Sequence, residues 1–475
     1  MSKKSSNKKL YETLTSKKES AWNYLDKKKV FDFCENYKHF LKDSKTERLC
    51  VENVIKVLKN NNFKNFNTVK SLKTNDKVFK VFKNKTVVAF IVGQEKESLN
   101  IIGSHVDSPR LDLKPKPLYE DSNLALLKTH YYGGIKKYQW VNEPLELQGV
   151  VFTKENKKVN INIRDYAFVV PDLLPHLAKE QMKKEANKVV EGESLNVLVG
   201  NIPVNDKEIK DQVKFTVLKH LNMKYGITED DFFSAELELV PRKDPLDIGF
   251  DKSMIGAYGQ DDRVAVFTSL KALVNVKKSK KTIVGLFVDK EETGSEGDTG
   301  AQSLILQNFA EDYRNLLKIK MPATKILENS KSISADVTGG LNPNYKEVQD
   351  VSNASYLGFG VSIEKYGGSG GKGHTNDAHA EYISEIRQIL IKNKIPYQFG
   401  ENGKVDMGGG GTIAMYMSKY GMDCVDVGPA VLAMHSPFEV TSKVDVYCCY
   451  LFYKAFFENW KYYWVDEIIP KNVST

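Results

Sequence analysis

From Asp247 onward, short apolar runs alternate with longer segments that predict helices. TIVGLFVD precedes GAQSLILQNFAEDYRNLL, and CVDVGPAV precedes VDVYCCYLFYKAFFENW near the end of the chain. Strands that alternate with helices of roughly 10 to 20 residues favour a mainly parallel sheet covered by helices on both faces. TVVAFIVG and LNIIGSH have the same apolar character, so we expect them in that sheet.

The middle of the chain follows a different pattern. Residues 111–244 are rich in strand-like segments and turns, such as LELQGVVFT and VNINIR, and a Lys- and Glu-rich stretch at 178–192 predicts a loop. We therefore predict an α/β domain formed by residues 1–110 and 245–475, interrupted by an inserted strand-rich domain at 111–244. We also expect LELQGVVF to expose an apolar edge that a partner must cover. Apolar residues at three-and-four spacing before position 60 predict helices.

Composition narrows the classes of partner. The 475 residues carry a net charge of +8, and the basic residues are mostly lysines spread along the chain. Nucleic-acid surfaces usually combine clustered Arg and Lys with aromatic residues, so we expect no nucleic-acid partner. No window approaches the roughly 18 apolar residues that span a bilayer, and the start has no signal-peptide core, which favours a cytoplasmic protein without a membrane partner. The five cysteines form no metal-type or redox-type pair, so we expect reduced thiols.

Eight polar residues of metal-binding kinds stand where apolar runs end or where a glycine-rich turn opens a helix. Ligands gather beyond the carboxyl ends of strands in an open α/β sheet, so these residues can converge although they are distant in sequence. Two histidines and several carboxylates suit a pair of zinc-like ions bridged by one carboxylate, with another carboxylate left to move protons. Each residue alone is more often a helix cap, a turn residue or a satisfied polar side chain. The eight are His105, Asp107, Asp261, Asp262, Glu291, Glu292, Asp336 and His435.

Five motifs carry a resemblance to a known family. HVDSPRLDLKP, GAYGQDDR, DKEETGSEGDTGAQS, SADVTGGLNPNY and VGPAVLAMHSPFE closely resemble, in this order and spacing, segments of the aspartyl aminopeptidase and vacuolar aminopeptidase I family of co-catalytic zinc peptidases. The resemblance runs from about residue 17 to 460 and is nearer to the aminopeptidase I branch. It implies a zinc-dependent aminopeptidase with two ions per subunit. Cobalt or manganese can substitute, because a mixed nitrogen and oxygen ligand set selects weakly among metals.

The resemblance also implies roles for individual residues. Glu291 is implied as the general base, and Asp107 as the residue that orients a metal-bound histidine. Asp262 is the alternative to Asp261 for the carboxylate that bridges the two ions. The implied ligands are the bridging Asp261, His105 and Asp336 on one ion, and Glu292 and His435 on the other.

Substrate contacts and assembly follow from the resemblance as well. The family places a histidine of the inserted dimerisation domain in a neighbouring subunit's site, and His176 in VVPDLLPHLAKE stands in the matching segment; the alternative is a surface histidine beside a proline turn. Lys365 and His374 match a segment that contacts substrate. Gly339 and Asn342 stand where aspartyl aminopeptidases carry histidines, so we expect neutral as well as acidic N-terminal residues to be cleaved. The family implies a homo-oligomer, a tetrahedral dodecamer built from dimers.

Two stretches of the sequence are rich in glycine. GGSGGKG lacks the spacing of a phosphate loop. DMGGGGTIAMYM predicts a turn that opens a helix. Its backbone N–H groups can contact the substrate, or the glycines can simply form a tight turn.

One rival to the aminopeptidase function is a carboxypeptidase or deacylase with the same metal geometry. The other is a catalytically idle scaffold, against which the complete ligand set argues.

Overall fold

The computed structural model describes residues 3–16 and 18–458, and within them the chain forms ten α-helices and twenty β-strands. The helices are α1 (Lys3–Leu14), α2 (Lys27–Asp43), α3 (Glu47–Asn60), α4 (Gln212–Tyr225), α5 (Gln260–Asn275), α6 (Ile305–Leu317), α7 (Ala323–Glu328), α8 (Ala380–Lys392), α9 (Ala414–Ser418) and α10 (Lys443–Glu458). The strands are β1 (Lys64–Asn65), β2 (Lys77–Phe82), β3 (Thr86–Ile91), β4 (Glu95–His105), β5 (Arg110–Asp121), β6 (Leu124–Tyr132), β7 (Leu145–Phe152), β8 (Lys158–Phe168), β9 (Val197–Gly200), β10 (Ala235–Pro241), β11 (Leu246–Ile248), β12 (Met254–Ala257), β13 (Lys281–Val288), β14 (Lys331–Ser334), β15 (Thr338–Gly339), β16 (Val361–Glu364), β17 (Tyr397–Phe399), β18 (Asp423–Gly428), β19 (Ala430–Leu432) and β20 (Glu439–Ser442).

The largest layer is a nine-stranded sheet in the order β1-β2-β3-β13-β4-β14-β18-β16-β17. Its centre, from β13 to β18, is parallel, whereas β3 and β16 join that centre antiparallel. All eight residues of β13 are buried, as expected for a strand that is covered on both faces. Helices α2, α3, α5 and α10 pack on one face, and α6, α7 and α9 pack on the other. The predicted mixed, mainly parallel sheet flanked by helices is confirmed.

A second, six-stranded sheet is antiparallel throughout, in the order β8-β7-β10-β5-β6-β9, and is drawn from residues 110–241. Helix α4, which no sequence pattern had indicated, packs on it through Val213 and Leu221. The expectation that LELQGVVF exposes an edge is wrong. This run forms β7, which is hydrogen-bonded to β8 on one side and β10 on the other, and most of its residues are buried. An interior strand has no free backbone groups to offer a partner.

A third sheet of five short strands, in the order β11-β12-β20-β19-β15, was also not anticipated. Its strands are two to four residues long, which is too short for a clear alternation of apolar and polar residues. Strand β12 leads into α5, and β19 is joined to β20 by the turn at 433–438. These two connections carry side chains of the site described below.

Buried ion pairs join the helices of the large sheet to the six-stranded sheet. Nζ of Lys45, just before α3, lies 3.2 Å from the Glu146 carboxylate of β7 and donates to the Pro241 carbonyl at 2.8 Å. The Glu47 carboxylate of α3 lies 3.5 Å from the Arg110 guanidinium at the start of β5. Such pairs are stable only where hydrogen bonds offset the desolvation of the charges. The contacts therefore hold the two sheets in a defined relation.

None of the helices in the described residues is long and apolar enough to cross a membrane. The five cysteines, all within the described residues, are buried and form no disulfide.

Candidate metal centre

Polar side chains that follow three neighbouring strands meet beyond one edge of the nine-stranded sheet. His105 is the last residue of β4, and Asp336 stands two residues after β14. Glu291 and Glu292 begin a short turn three residues after β13. Because β13, β4 and β14 are parallel neighbours, their carboxyl ends lie side by side, which brings together residues that are distant in sequence.

Two further side chains reach the same place from the five-stranded sheet. Asp261 lies in the first turn of α5, where the backbone is not helical and the peptide bond to Asp262 is cis. His435 lies in the turn between β19 and β20. The Asp261 side chain is 5% exposed and that of His435 is 32% exposed, so the centre opens to solvent on the side of His435.

The Asp261 carboxylate separates two groups of side chains. Its Oδ1 lies 3.2 Å from Nε2 of His105, and its Oδ2 lies 3.1 Å from Nε2 of His435. Asp336 Oδ1 is 3.7 Å from the same nitrogen of His105, and Glu292 Oε2 is 3.3 Å from that of His435. Each group offers three ligand atoms within 4.8 Å of one another. The two groups share one carboxylate, as a bridged pair of ions requires.

Asp262 occupies a different position from its neighbour. Its Oδ2 accepts a hydrogen bond from the backbone N–H of His105 at 3.2 Å, and it is absent from the metal-type groups of the described residues. Glu291, by contrast, joins a third such group with His105 and Glu292, and its Oε2 lies 3.8 Å from Nε2 of His105. The geometry thus favours Asp261 as the shared carboxylate and leaves Glu291 beside the pair.

Asp107 holds several parts of the centre together. Nδ1 of His105 donates to the Asp107 carbonyl at 3.1 Å and lies 3.4 Å from its carboxylate. The backbone N–H groups of Glu291 and Glu292 donate to the two carboxylate oxygens, each at 3.2 Å. A carbonyl can only accept, so Nδ1 of His105 carries a proton, and Nε2 is the nitrogen that can bind a metal.

Glu439 is a residue of the site that the sequence did not reveal. It is buried, and its two carboxylate oxygens accept from the backbone N–H groups of Gln260 at 2.6 Å, Asp261 at 3.1 Å and His435 at 2.8 Å. The His435 ring has its own contact, since its Nδ1 donates to the Gly134 carbonyl at 2.8 Å. The position of Glu439 within the motif VGPAVLAMHSPFE was the one available signal, since its contacts depend on the folded turn.

The electrostatics of the centre show an excess of negative charge. Burial acts to raise the pKa of Asp261, but the neighbouring imidazoles of His105 and His435 hold it well below its usual value. Burial, reinforced by the charge of Asp261, raises the pKa of Glu292 well above its usual value, and burial raises the pKa of Asp336 as well. Burial also raises the pKa of Glu291 to about 8. Carboxylates this close together repel one another when they are ionised, and bound cations would stabilise their ionised forms.

The residues fit zinc. Two imidazole nitrogens and several carboxylate oxygens form the mixed donor set that zinc accepts. Within the described residues, Nε2 of His105 and Oε1 of Glu292 are buried without a hydrogen-bond partner. A buried polar atom without a partner is costly, and a metal ion at each group would satisfy it.

Three other predicted site residues lie outside these metal-type groups. His176 is exposed in the segment between β8 and β9, and Lys365 and His374 are exposed beyond β16. None of the three takes part in the ligand groups found among the described residues. The two glycine-rich stretches contact each other, since the Gly368 N–H donates to the Gly410 carbonyl at 2.7 Å. The second stretch leads into α9, as the sequence predicted.

Comparisons with known proteins agree on one family. Residues 40–457 match the model of the family described as aminopeptidase I zinc metalloprotease (M18). The chain is 46% identical over 459 residues to the probable M18 family aminopeptidase 1 of Clostridium acetobutylicum, covering 93% of this chain and 98% of that protein.

Solved structures give the same result. The crystal structure of an M18 family aminopeptidase from Thermotoga maritima has a TM-score of 0.91 at 42% identity, covering 94% of this chain and all of that one. The yeast mApe1 dodecamer has a TM-score of 0.72 at 21% identity, covering 90% of this chain and 97% of that one. At that identity the second likeness concerns the fold alone.

Proposed function

The chain belongs to the M18 family of aminopeptidase I zinc metalloproteases, and from this premise we propose that its metal centre removes the N-terminal residue from peptides. It is a zinc-dependent aminopeptidase, in keeping with its bacterial relatives. We propose in addition that the centre holds two ions, that particular residues bind each ion, and that one glutamate transfers the proton.

The proposal of a two-ion centre rests on one observation. The Asp261 carboxylate faces His105 with one oxygen and His435 with the other. A carboxylate placed in this way can bridge two ions. In the proposal, His105 and Asp336 complete one site, and Glu292 and His435 complete the other. This division leaves Glu291 uncoordinated and available for acid–base work.

The chemistry follows from the positions of these residues. Zinc, when bound, supplies Lewis acidity that polarises a peptide carbonyl and makes a water molecule more acidic, and cobalt or manganese can take its place. Glu291 takes the proton of the attacking water and returns it to the leaving amine nitrogen. Its side chain is 15% exposed, so water can reach it. Asp107 keeps the proton of His105 on Nδ1 and holds the backbone of the Glu291 turn.

The specificity pocket is proposed to accept neutral side chains. Gly339 lies three residues after Asp336, and a Cβ at Gly339 would stand 2.4 Å from the Asn402 amide oxygen, so a histidine there would have to displace the Asn402 side chain. Leu and Met should therefore be released at least as readily as Asp. Lys365 and His374 are proposed to contact the substrate.

We further propose a cytoplasmic homo-oligomer, a tetrahedral dodecamer of dimers, in which residues 111–244 form the dimerisation domain and residues 1–110 with 245–475 form the catalytic domain. In support, the six-stranded sheet draws its strands from one continuous part of the chain. Leu173, Leu174 and Leu177 are exposed next to His176, which suits a segment covered by a neighbouring subunit. His176 would then complete the neighbour's site.

The decisive experiment combines zinc analysis with two substrates. Two zinc ions per chain and cleavage of a free peptide, but not of its N-acetylated form, are expected. Cleavage of the acetylated peptide from its carboxyl end, or release of the acetyl group, would instead indicate a carboxypeptidase or deacylase. Bound zinc without any hydrolysis would indicate an idle scaffold.

Subunit mixing tests the shared site. His176→Ala and Glu291→Gln are each expected to be poorly active alone. After confirmed subunit exchange, a mixture should recover part of the activity, because some sites then combine an intact Glu291 with a neighbour's intact His176. A fully active His176→Ala enzyme, or a mixture without recovery, would refute the shared site.

A further inference from the structure

The metal centre receives two contacts from the six-stranded sheet of its own subunit, at the place where β6 ends. The hydroxyl of Tyr132, the last residue of β6, donates to the Asp107 carboxylate at 2.8 Å. Two residues later, the Gly134 carbonyl accepts from Nδ1 of His435 at 2.8 Å. One short segment therefore contacts both halves of the centre, one through Asp107 and the other directly.

The hydrogen bond from Tyr132 matters because Asp107 contacts several parts of the metal centre. Asp107 is fully buried, and it already faces the His105 ring and accepts the N–H groups of Glu291 and Glu292. Its Oδ2 is shared between the Tyr132 hydroxyl and the Glu292 N–H. Removing the hydroxyl would leave this oxygen with one fewer donor, and the carboxylate could turn away from His105.

The Tyr132 ring is itself held in place. The Arg110 guanidinium lies over the ring at 3.8 Å from its centroid, a distance at which the cation and the aromatic face attract each other. Arg110 is fixed in turn by Asp112, to which its Nε donates at 2.8 Å, and by Glu238 at 3.3 Å. The hydroxyl is therefore presented to Asp107 by a rigid arrangement.

The glycines after Tyr132 let this segment approach closely. Gly133 has φ +76°, and a Cβ there would lie 3.3 Å from Cβ of Glu292. A Cβ on Gly134 would lie 3.6 Å from Nδ1 of His435. Glycine adopts the left-handed conformation at Gly133 without strain, and it adds no side chain against the ligands.

From these contacts we infer that Tyr132 is a positioning residue of the zinc centre, acting through Asp107 on His105 and on the turn that carries the two glutamates. The inference rests on the proposed function, since it assigns a role toward the proposed ligands. Residues that orient metal ligands commonly change metal affinity by about 10- to 100-fold when altered.

The test uses Tyr132→Phe, which keeps the ring and its contact with Arg110 but removes the hydroxyl. Zinc release from the full-length protein into a chelator should be faster by about 10- to 100-fold for at least one ion. Tyr131→Phe, at the adjacent exposed position of β6, is the matched control and should release zinc at the wild-type rate. The metal-free forms of both variants should unfold cooperatively within about 4 °C of the wild-type temperature, since a single lost hydrogen bond shifts that temperature only slightly. This result excludes a general loss of structure.

A double variant tests the route through Asp107. If Tyr132 acts through that carboxylate, then Tyr132→Phe combined with Asp107→Asn should release zinc no faster than Asp107→Asn alone. Additive effects, or a Tyr132→Phe protein that matches the control, would overturn the inference while leaving a wild-type enzyme that binds zinc and cleaves peptides. A wild-type protein that retains no zinc would overturn the proposed function and this inference together.

Discussion

Replacement of Glu439 by glutamine should weaken zinc binding on the side of His435. The Glu439 carboxylate accepts three backbone N–H groups, with the Gln260 and Asp261 donors on one oxygen and the His435 donor on the other. A glutamine amide has only one accepting oxygen. Its best orientation keeps the two bonds to Gln260 and Asp261 and turns an NH2 group toward the His435 N–H.

The expected magnitude follows from this count of bonds. One buried donor without a partner costs about 1–3 kcal/mol. Without an ion, the turn that carries His435 can relax so that water satisfies this donor, and zinc binding must then restore the original geometry. Up to the whole cost therefore appears in zinc affinity, which corresponds to a loss of roughly 5- to 150-fold at 25 °C.

Titration of the metal-free protein with zinc, in competition with a chelator, measures this effect. Wild type should show two tightly bound ions, and Glu439→Gln should show one of them weakened. Asp445→Asn is the control, because Asp445 is also a buried carboxylate that accepts two backbone N–H groups, at 2.6 and 2.7 Å, but from Gly358 and Gly360. Unchanged affinity in Glu439→Gln, or an equal loss in Asp445→Asn, would refute the reasoning.

Three further predictions follow from the same structure. Glu291→Gln should keep two zinc ions per chain and lose about 10²- to 10⁴-fold in kcat, whereas Asp261→Ala should lose zinc; near-normal turnover of Glu291→Gln would disprove its role as general base. A panel of aminoacyl amides should show Leu and Met released at least as fast as Asp, and activity on acidic residues alone would contradict the proposed pocket. Lys45→Met should destabilise the protein to denaturant by about 1–3 kcal/mol, because it removes one of the two cations that face the buried Glu146 carboxylate and the donor to the Pro241 carbonyl, whereas Arg164 stays 3.3 Å from Glu146. The control Lys42→Met, at an exposed pair, should cost less than about 1 kcal/mol.

The metal-type side chains were predictable because each has a local signature. β4 is an apolar run that stops at His105, and Asp336 follows β14 by two residues, so the alternation of strands and helices already indicated that such residues converge. The five motifs then indicated a family, which is confirmed. Residue patterns alone do not give distances, so they left Asp261 and Asp262 as alternatives, and Asp261 as the bridging carboxylate is part of the proposal.

Contacts between separate elements have no such signature. Glu439 acts through backbone N–H groups that approach it only after the turn has folded, and Tyr132 meets Asp107 from another sheet. The exposed edge predicted for residues 145–152 failed for a related reason. An apolar strand pattern tells which faces are buried, but it does not tell whether neighbours pair along both edges.

Only four residues separate His105, at the end of β4, from Arg110, at the start of β5, so the six-stranded sheet begins close to the metal centre. This proximity limits how far the enzyme can be shortened. A truncated version in which 111–244 is replaced by a linker would keep every proposed zinc ligand. It would nevertheless lose the Tyr132 hydroxyl and the Gly134 carbonyl, and with them one hydrogen bond to Asp107 and one to the His435 ring. A protease cut within the loop at 178–192 would spare both contacts. Miniaturising the catalyst therefore means rebuilding two hydrogen bonds, whereas nicking the same region does not.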